Sequence, residues 1–303
     1  MKSTIRRSDF IGYGYLSFAI LFFAVNVIIA RAVHADIPPF GLSFWRWAIA
    51  SAIFFPFAIS SLRTQWRLML VHWKLVLLIT VLLVPLGNTL VYVGLQSTTA
   101  LNAGLITVAR PAIILILAYF LFRGSVTRDQ WLGIGIAVTG VVLVIARGNF
   151  SVLAGLDMVR GDLWIIASTV VIAAYQAIVA RGLQLFDARA LLLVNMVLGT
   201  VMLAPFYAWE ASVGRSMELN WVAVGTVLYV AIFPSILSVY FISLGIARVG
   251  VARAGIYNYL QPLFVAAIAI PILGEAPAWY HPVALALVVA GLVVSSRGPK
   301  NAA

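Results

Sequence analysis

Ten stretches of about twenty mostly apolar residues follow one another along the chain, each long enough to cross a lipid bilayer as a helix. They fall at 10–32, 40–61, 73–95, 100–121, 129–147, 162–183, 189–210, 219–246, 251–273 and 279–296. The connections are short; the longest, 148–161, is GNFSVLAGLDMVRG. A chain that is 63% hydrophobic and only 10% charged has too little polar surface to cover a soluble core, since ordinary globular domains are about a quarter charged. The pattern predicts an all-α integral membrane protein. The basic start, MKSTIRRSDF, resembles the opening of a signal peptide, but the apolar run behind it is longer than the 7–15 residues such a peptide uses. The first stretch is therefore read as a spanning helix.

Direction follows from the basic residues, which concentrate on the cytoplasmic side of spanning segments. With a cytoplasmic N-terminus, fourteen Lys and Arg fall inside, and four, Arg31, Arg147, Arg160 and Arg215, fall outside. Arg46 and Arg110 lie within segments. Both termini are expected in the cytoplasm of a bacterial inner membrane. The net charge of +11 is thus a topology signal, and its scatter between apolar segments excludes a nucleic-acid surface. The chain has no cysteine, hence no disulfide framework and no thiolate chemistry.

The chain also repeats itself. A shift of 151 residues lays Gly94 on Gly245, Gly104 on Gly255, Pro111 on Pro262 and Gly140 on Gly291. AVNVIIAR at 24–31 parallels AYQAIVAR at 174–181. Each half holds five segments, and because five is odd the second half enters the membrane from the opposite side. The domain reading is a first five-helix repeat over 1–147, a linker over 148–161 and an inverted repeat over 162–303. Inverted repeats are a common construction of secondary transporters, with the substrate near the midplane where the halves meet.

These features resemble the drug/metabolite transporter superfamily, EamA type. The resemblance rests on NAGLITVARP (102–111), ARAGIYNYLQP (252–262) and PLFVAAIAIPILGE (262–275), and it covers nearly the whole chain. The first half departs from it, with Gly124 where the second has Glu275. Within the superfamily the chain is most similar to the YddG-type exporters of aromatic amino acids. The resemblance implies efflux through a central cavity lined by the first, third, fourth, sixth, eighth and ninth helices.

Arg110 is the residue that most needs a reason. It sits ten residues, about 15 Å, from the start of its segment, where an arginine costs about 2.5–3.5 kcal/mol to insert. Pro111, next to it, has no N–H and leaves the Thr107 carbonyl without its helical partner. Asn258 and Pro262 stand in the same relation in the second half. Irregular backbone at membrane depth is tolerated where it is buried in protein or lines a wet cavity. Helical spacing extends the face through Thr107, Asn88, Tyr92, Asn26, Trp164, Tyr175, Tyr257, Asn258 and Gln261, all taken as substrate-binding candidates. Pro111, Pro262, Gly104 and Gly255 are taken as helix-break or gating positions. Arg46, in FWRW at 44–47, is expected to anchor at the membrane interface beside its tryptophans.

The nine carboxylates all lie at or near segment ends. A pump for organic cations uses one at the midplane, so the chain is not read as one. His34, His72 and His281 form no metal spacing, no nucleophile–base pair is present, and no cofactor is called for. The chain is read as a non-enzymatic exporter of small organic solutes, amino acids including aromatic ones, acting as a monomer in the bilayer by alternating access. Arg110 would hold the substrate carboxylate. A carrier of phosphorylated or nucleotide-linked sugars would show several basic residues at the midplane. A membrane enzyme or assembly subunit would show a catalytic constellation or no flux.

Overall fold

The computed structural model describes residues 7–110, 112–113, 116–117, 127–149, 159–249 and 260–295. Every regular element among them is helical. Ten helices follow in chain order. α1 is Arg7–Ala32, α2 is Pro39–Val71 and α3 is Trp73–Leu95. α4 begins at Ala100–Thr107, α5 is Arg128–Ile145, α6 is Arg160–Leu185 and α7 is Ala188–Ser212. α8 runs without a break through Trp221–Val230, Ala231–Leu237 and Ser238–Val249. α9 is Leu260–Leu273 in its described part, and α10 is Tyr280–Ser295. Among the described residues seven helices are long and apolar enough to span a membrane, and α9 and α10 are shorter apolar helices.

Among the described residues the helix positions agree with the apolar segments, with one large difference. α2 continues ten residues past the expected end at 61, to Val71. The extension carries Arg63 and Arg67, which take it out of an apolar window, but nothing in it breaks a helix.

The packing displays the repeat. α2 packs on α7, α4 on α9 and α5 on α10, which are the second, fourth and fifth helices of each half. α1 packs on α8 and α3 on α6, the same pairing exchanged between halves. Small residues let these pairs approach closely, as membrane helices require. A Cβ on Gly140 would lie 2.8 Å from the Ala284 carbonyl oxygen, and one on Gly291 would lie 2.7 Å from the Ala137 nitrogen.

α3 and α8 share an irregularity. Leu82–Asn88 and Ala231–Leu237 are π-helical, and each contains a proline, Pro85 or Pro234. Proline removes a donor from the ladder, and the wider turn leaves carbonyls for other groups. Side chains five residues on take them. Asn88 Nδ2 donates to the Leu83 carbonyl at 2.7 Å and the Thr89 hydroxyl to Val84 at 3.0 Å. The Ser235 hydroxyl donates to Val230 at 2.7 Å and that of Ser238 to Phe233 at 3.0 Å. These prolines add two symmetric irregular segments to the positions expected at Pro111 and Pro262. Pro111 and Gly255 lie outside the described residues, and Pro262 is buried near the start of described α9. Just before Pro111 the backbone tightens: the N–H groups of Val108 and Ala109 reach back only three residues, to Leu105 and Ile106.

Candidate functional site

The two halves meet around Arg46. Its side chain leaves α2 seven residues from Pro39, about 10 Å into the helix, and only 1% of it is exposed. Nε donates to the Ser235 hydroxyl at 2.6 Å, inside the π-helical part of α8. Nη1 donates to the Tyr92 hydroxyl at 2.7 Å on α3, which in turn donates to Asn26 Oδ1 at 2.8 Å on α1. The guanidinium also lies over the rings of Trp47 and Tyr92, at 4.8 and 5.7 Å from their centroids. The interface-anchor expectation for Arg46 is therefore overturned: its hydrogen-bond partners come from α3 and α8, with Asn26 of α1 behind Tyr92, and they draw it inward. None of them is charged, and among the described residues no carboxylate pairs with it. A charge buried without a counter-ion costs several kcal/mol.

Arg110 is the second cation at depth. It is half-buried, its Nε is buried, and it has no hydrogen-bond or ion-pair partner among the described residues. Thr107, one turn away, turns its hydroxyl back to the Gly104 carbonyl at 2.8 Å. Gly104 faces Val265 of α9, whose Cβ would stand 3.3 Å from an added methyl group.

An aromatic ladder runs along the α1–α8 contact. Tyr15 meets Phe241 at 5.3 Å between centroids, Phe22 meets Phe233 edge-on at 5.0 Å, and Phe233 stacks on Tyr229 at 4.8 Å. Arg248 lies over the Tyr15 ring at its far end, at 5.1 Å.

The predicted residues divide. Asn26 and Tyr92 come together through Arg46, Gln261 is buried on α9, and Tyr175 packs against the cluster that holds Trp47. Asn88 is committed to its own helix. Trp164 is 45% exposed and lines an apolar cleft of about 630 Å³ with Phe40, Leu90, Phe206 and Trp209. Tyr257 and Asn258 lie outside the described residues.

One end of the bundle carries a polar latch that spacing along the sequence could not reveal. Glu275, just past α9, accepts from the N–H groups of Ala100 and Leu101 at 2.8 and 3.0 Å, while Thr99 accepts from that of Asn102. The free donors at the start of α4 are thus satisfied by a carboxylate, the charge that a helix N-terminus favours. Glu210, near the end of α7, does the same for Phe40 and Gly41 at the start of α2. Arg31 Nε stands 4.0 Å from Glu275, and its Nη1 donates to the Leu95 carbonyl at 2.8 Å. Beside them the Ala278 N–H donates to His281 Nδ1, which leaves the proton on Nε2 to be donated to Asn102 Oδ1 at 3.1 Å. Thr98 and Asn102 donate to Asp162, which is fully buried. The GE dipeptide at 274–275 was the one sequence signal for this cluster.

The EamA-like transporter family profile matches residues 10–146 and again 159–297, one copy per half. The chain belongs to the EamA-like transporter family. Its relatives include an uncharacterized transporter of Archaeoglobus fulgidus, 22% identical over 93% of this chain and 96% of its own. The uncharacterized transporter YyaM of Bacillus subtilis is 26% identical, over 69% of this chain and 68% of its own. The uncharacterized inner membrane transporter YedA of Escherichia coli K12 is 24% identical, over 73% and 70%. A crystal structure superposes with a TM-score of 0.63 over 95% of this chain and 96% of its own, at 18% identity, which shows the shared fold. An EamA-like protein with two inverted halves is a membrane transporter, and at Arg46 the first half meets Ser235 of the second.

Proposed function

We propose that this transporter exports small organic solutes, amino acids including aromatic ones, from the cytoplasm across a bacterial inner membrane. It works as a monomer, as one half, 1–147, rocks against the other, 162–303, about the linker 148–161. The charge asymmetry of the connections supports cytoplasmic termini, and in that orientation the end that carries Glu275 and Glu210 faces outward. The observation that carries the reading is Arg110: a cation at membrane depth, with no partner among the described residues and with Nε buried. A planar guanidinium suits a carboxylate, and the ladder from Tyr15 to Tyr229 offers faces for an aromatic side chain.

The test is paired flux in proteoliposomes of an aromatic amino acid and of the amine that lacks its carboxylate. Lysine at position 110 keeps the charge and loses the fork. Arg110→Lys is expected to slow the amino acid about tenfold, the loss of one charge-assisted bond worth roughly 1.5–3 kcal/mol, and to leave the amine nearly unchanged. Equal losses for both compounds would remove Arg110 from the substrate site.

A further inference from the structure

We propose that Arg46 and Trp47 form a second carboxylate-binding station, which the substrate occupies between Arg110 and the outer face. The proposal rests on the export reading above for its direction, and on the geometry of α2 for its chemistry.

Two neighbouring residues on α2 hold donors that no group among the described residues satisfies. Trp47 is 1% exposed, and its Nε1 is buried without a hydrogen-bond partner among the described residues. Arg46 is equally buried, and its Nη2 has no partner among them, the two bonds it makes being through Nε and Nη1. The guanidinium stands 4.8 Å from the centre of the Trp47 ring, so the unused donors share one neighbourhood. Buried donors are nearly always paired. The buried, unpaired indole N–H of Trp47, which can only donate, beside a guanidinium that has a spare Nη2 and no counter-ion among the described residues, has the donor pattern of an anion site.

The partners of Arg46 explain how the station would be emptied and filled. Ser235 belongs to the second half, whereas Tyr92 and Asn26 belong to the first. When α8 withdraws from α2 in the transport cycle, Ser235 leaves Nε. Arg46 then presents an edge that a carboxylate bridges, with Trp47 Nε1 at its side. When the halves close, the serine hydroxyl returns to Nε and the carboxylate is released. The position fits a sequence of two stations. Arg46 lies seven residues from the start of α2 and Arg110 ten from the start of α4, about 10 and 15 Å from the same end of the bundle.

Trp47→Phe is the discriminating change, because it keeps a ring and removes the one donor. Equilibrium binding to the purified protein is measured with four probes: an aromatic amino acid, the same molecule without its amine, the same molecule without its carboxylate, and chloride. Both carboxylate probes are expected to bind about tenfold more weakly to Trp47→Phe than to wild type, a factor that corresponds to about 1.4 kcal/mol. The amine should be unaffected. Arg46→Lys should show the same selectivity; if it does not fold, Trp47→Phe decides alone. Equal affinities in Trp47→Phe and wild type would overturn the proposal, as would equal losses for amine and carboxylate, which mark a packing role. Chloride binding that depends on Trp47, with no carboxylate binding, would make this an inorganic anion site and also overturn it. The export reading fails separately: if the amine-free acid binds through Trp47 while amino acids are not carried, the station stands and the amino-acid assignment falls.

Discussion

Gly94 and Gly245, 151 residues apart, occupy the same place in the two halves and meet the same kind of neighbour. A Cβ on Gly94 would lie 2.7 Å from Ile165 Cδ1 and 2.9 Å from the Gly161 carbonyl oxygen. A Cβ on Gly245 would lie 2.6 Å from Leu16 Cγ and 3.3 Å from the Gly12 carbonyl oxygen. α3 on α6 and α8 on α1 are one contact used twice, and each use depends on a residue without a side chain.

That relationship predicts the cost of a methyl group. Gly94→Ala and Gly245→Ala should each destabilise the protein by about 1–3 kcal/mol, the usual range for overpacking. Gly14 has no atom within 4 Å of a built Cβ, and Gly14→Ala should be neutral or slightly stabilising. Thermal unfolding of the three purified variants checks this. Three equal melting temperatures would contradict the close approach.

The latch predicts a change in access. Glu275→Ala removes the acceptor for the Ala100 and Leu101 N–H groups and the neighbour of Arg31. The chain has no cysteine, so a single reporter, Ala103→Cys, can be placed one turn into α4, where the native residue is 2% exposed. A membrane-impermeant thiol reagent added outside should label this reporter several-fold faster with Glu275→Ala than without it. An unchanged rate would mean that Glu275 caps a helix and closes nothing.

The π-helical segments predict a separation of transport from folding. Pro85→Ala and Pro234→Ala each restore an N–H and favour a regular α-helix over the wider turn. Flux should fall severalfold in each variant, while insertion and melting temperature hold. Full flux in both would make the segments a packing accommodation.

Topology has its own check. A reporter joined after Ala303 should be active only in its cytoplasmic form. Activity from a periplasmic reporter would reverse the assignment of the outward-facing end.

Much of the architecture was legible in the residues. Apolar run length located the helices, because a segment must hide its whole backbone from lipid. The recurrence of Gly94 at Gly245 and of Gly140 at Gly291 exposed the two halves, because close helix contacts demand small residues at fixed places. The site was legible only in part. Arg110 stood out as one charge in an apolar run. Arg46 did too, but the tryptophans around it suggested a membrane interface, where such residues are common.

What the sequence determined by itself was therefore the number of helices, their approximate ends and their pairing into halves, since each depends on run lengths and on residues compared with their own repeat. What only the tertiary structure decided was the partner of each polar group. Arg46 meets Ser235 across 189 positions of chain, and Glu275 meets Ala100 across 175. Local periodicity tells which face of a helix a residue occupies, but it carries no information about which distant helix comes to that face. Arg46 is buried because α3 and α8 close over it, and that closure is a property of the packed bundle.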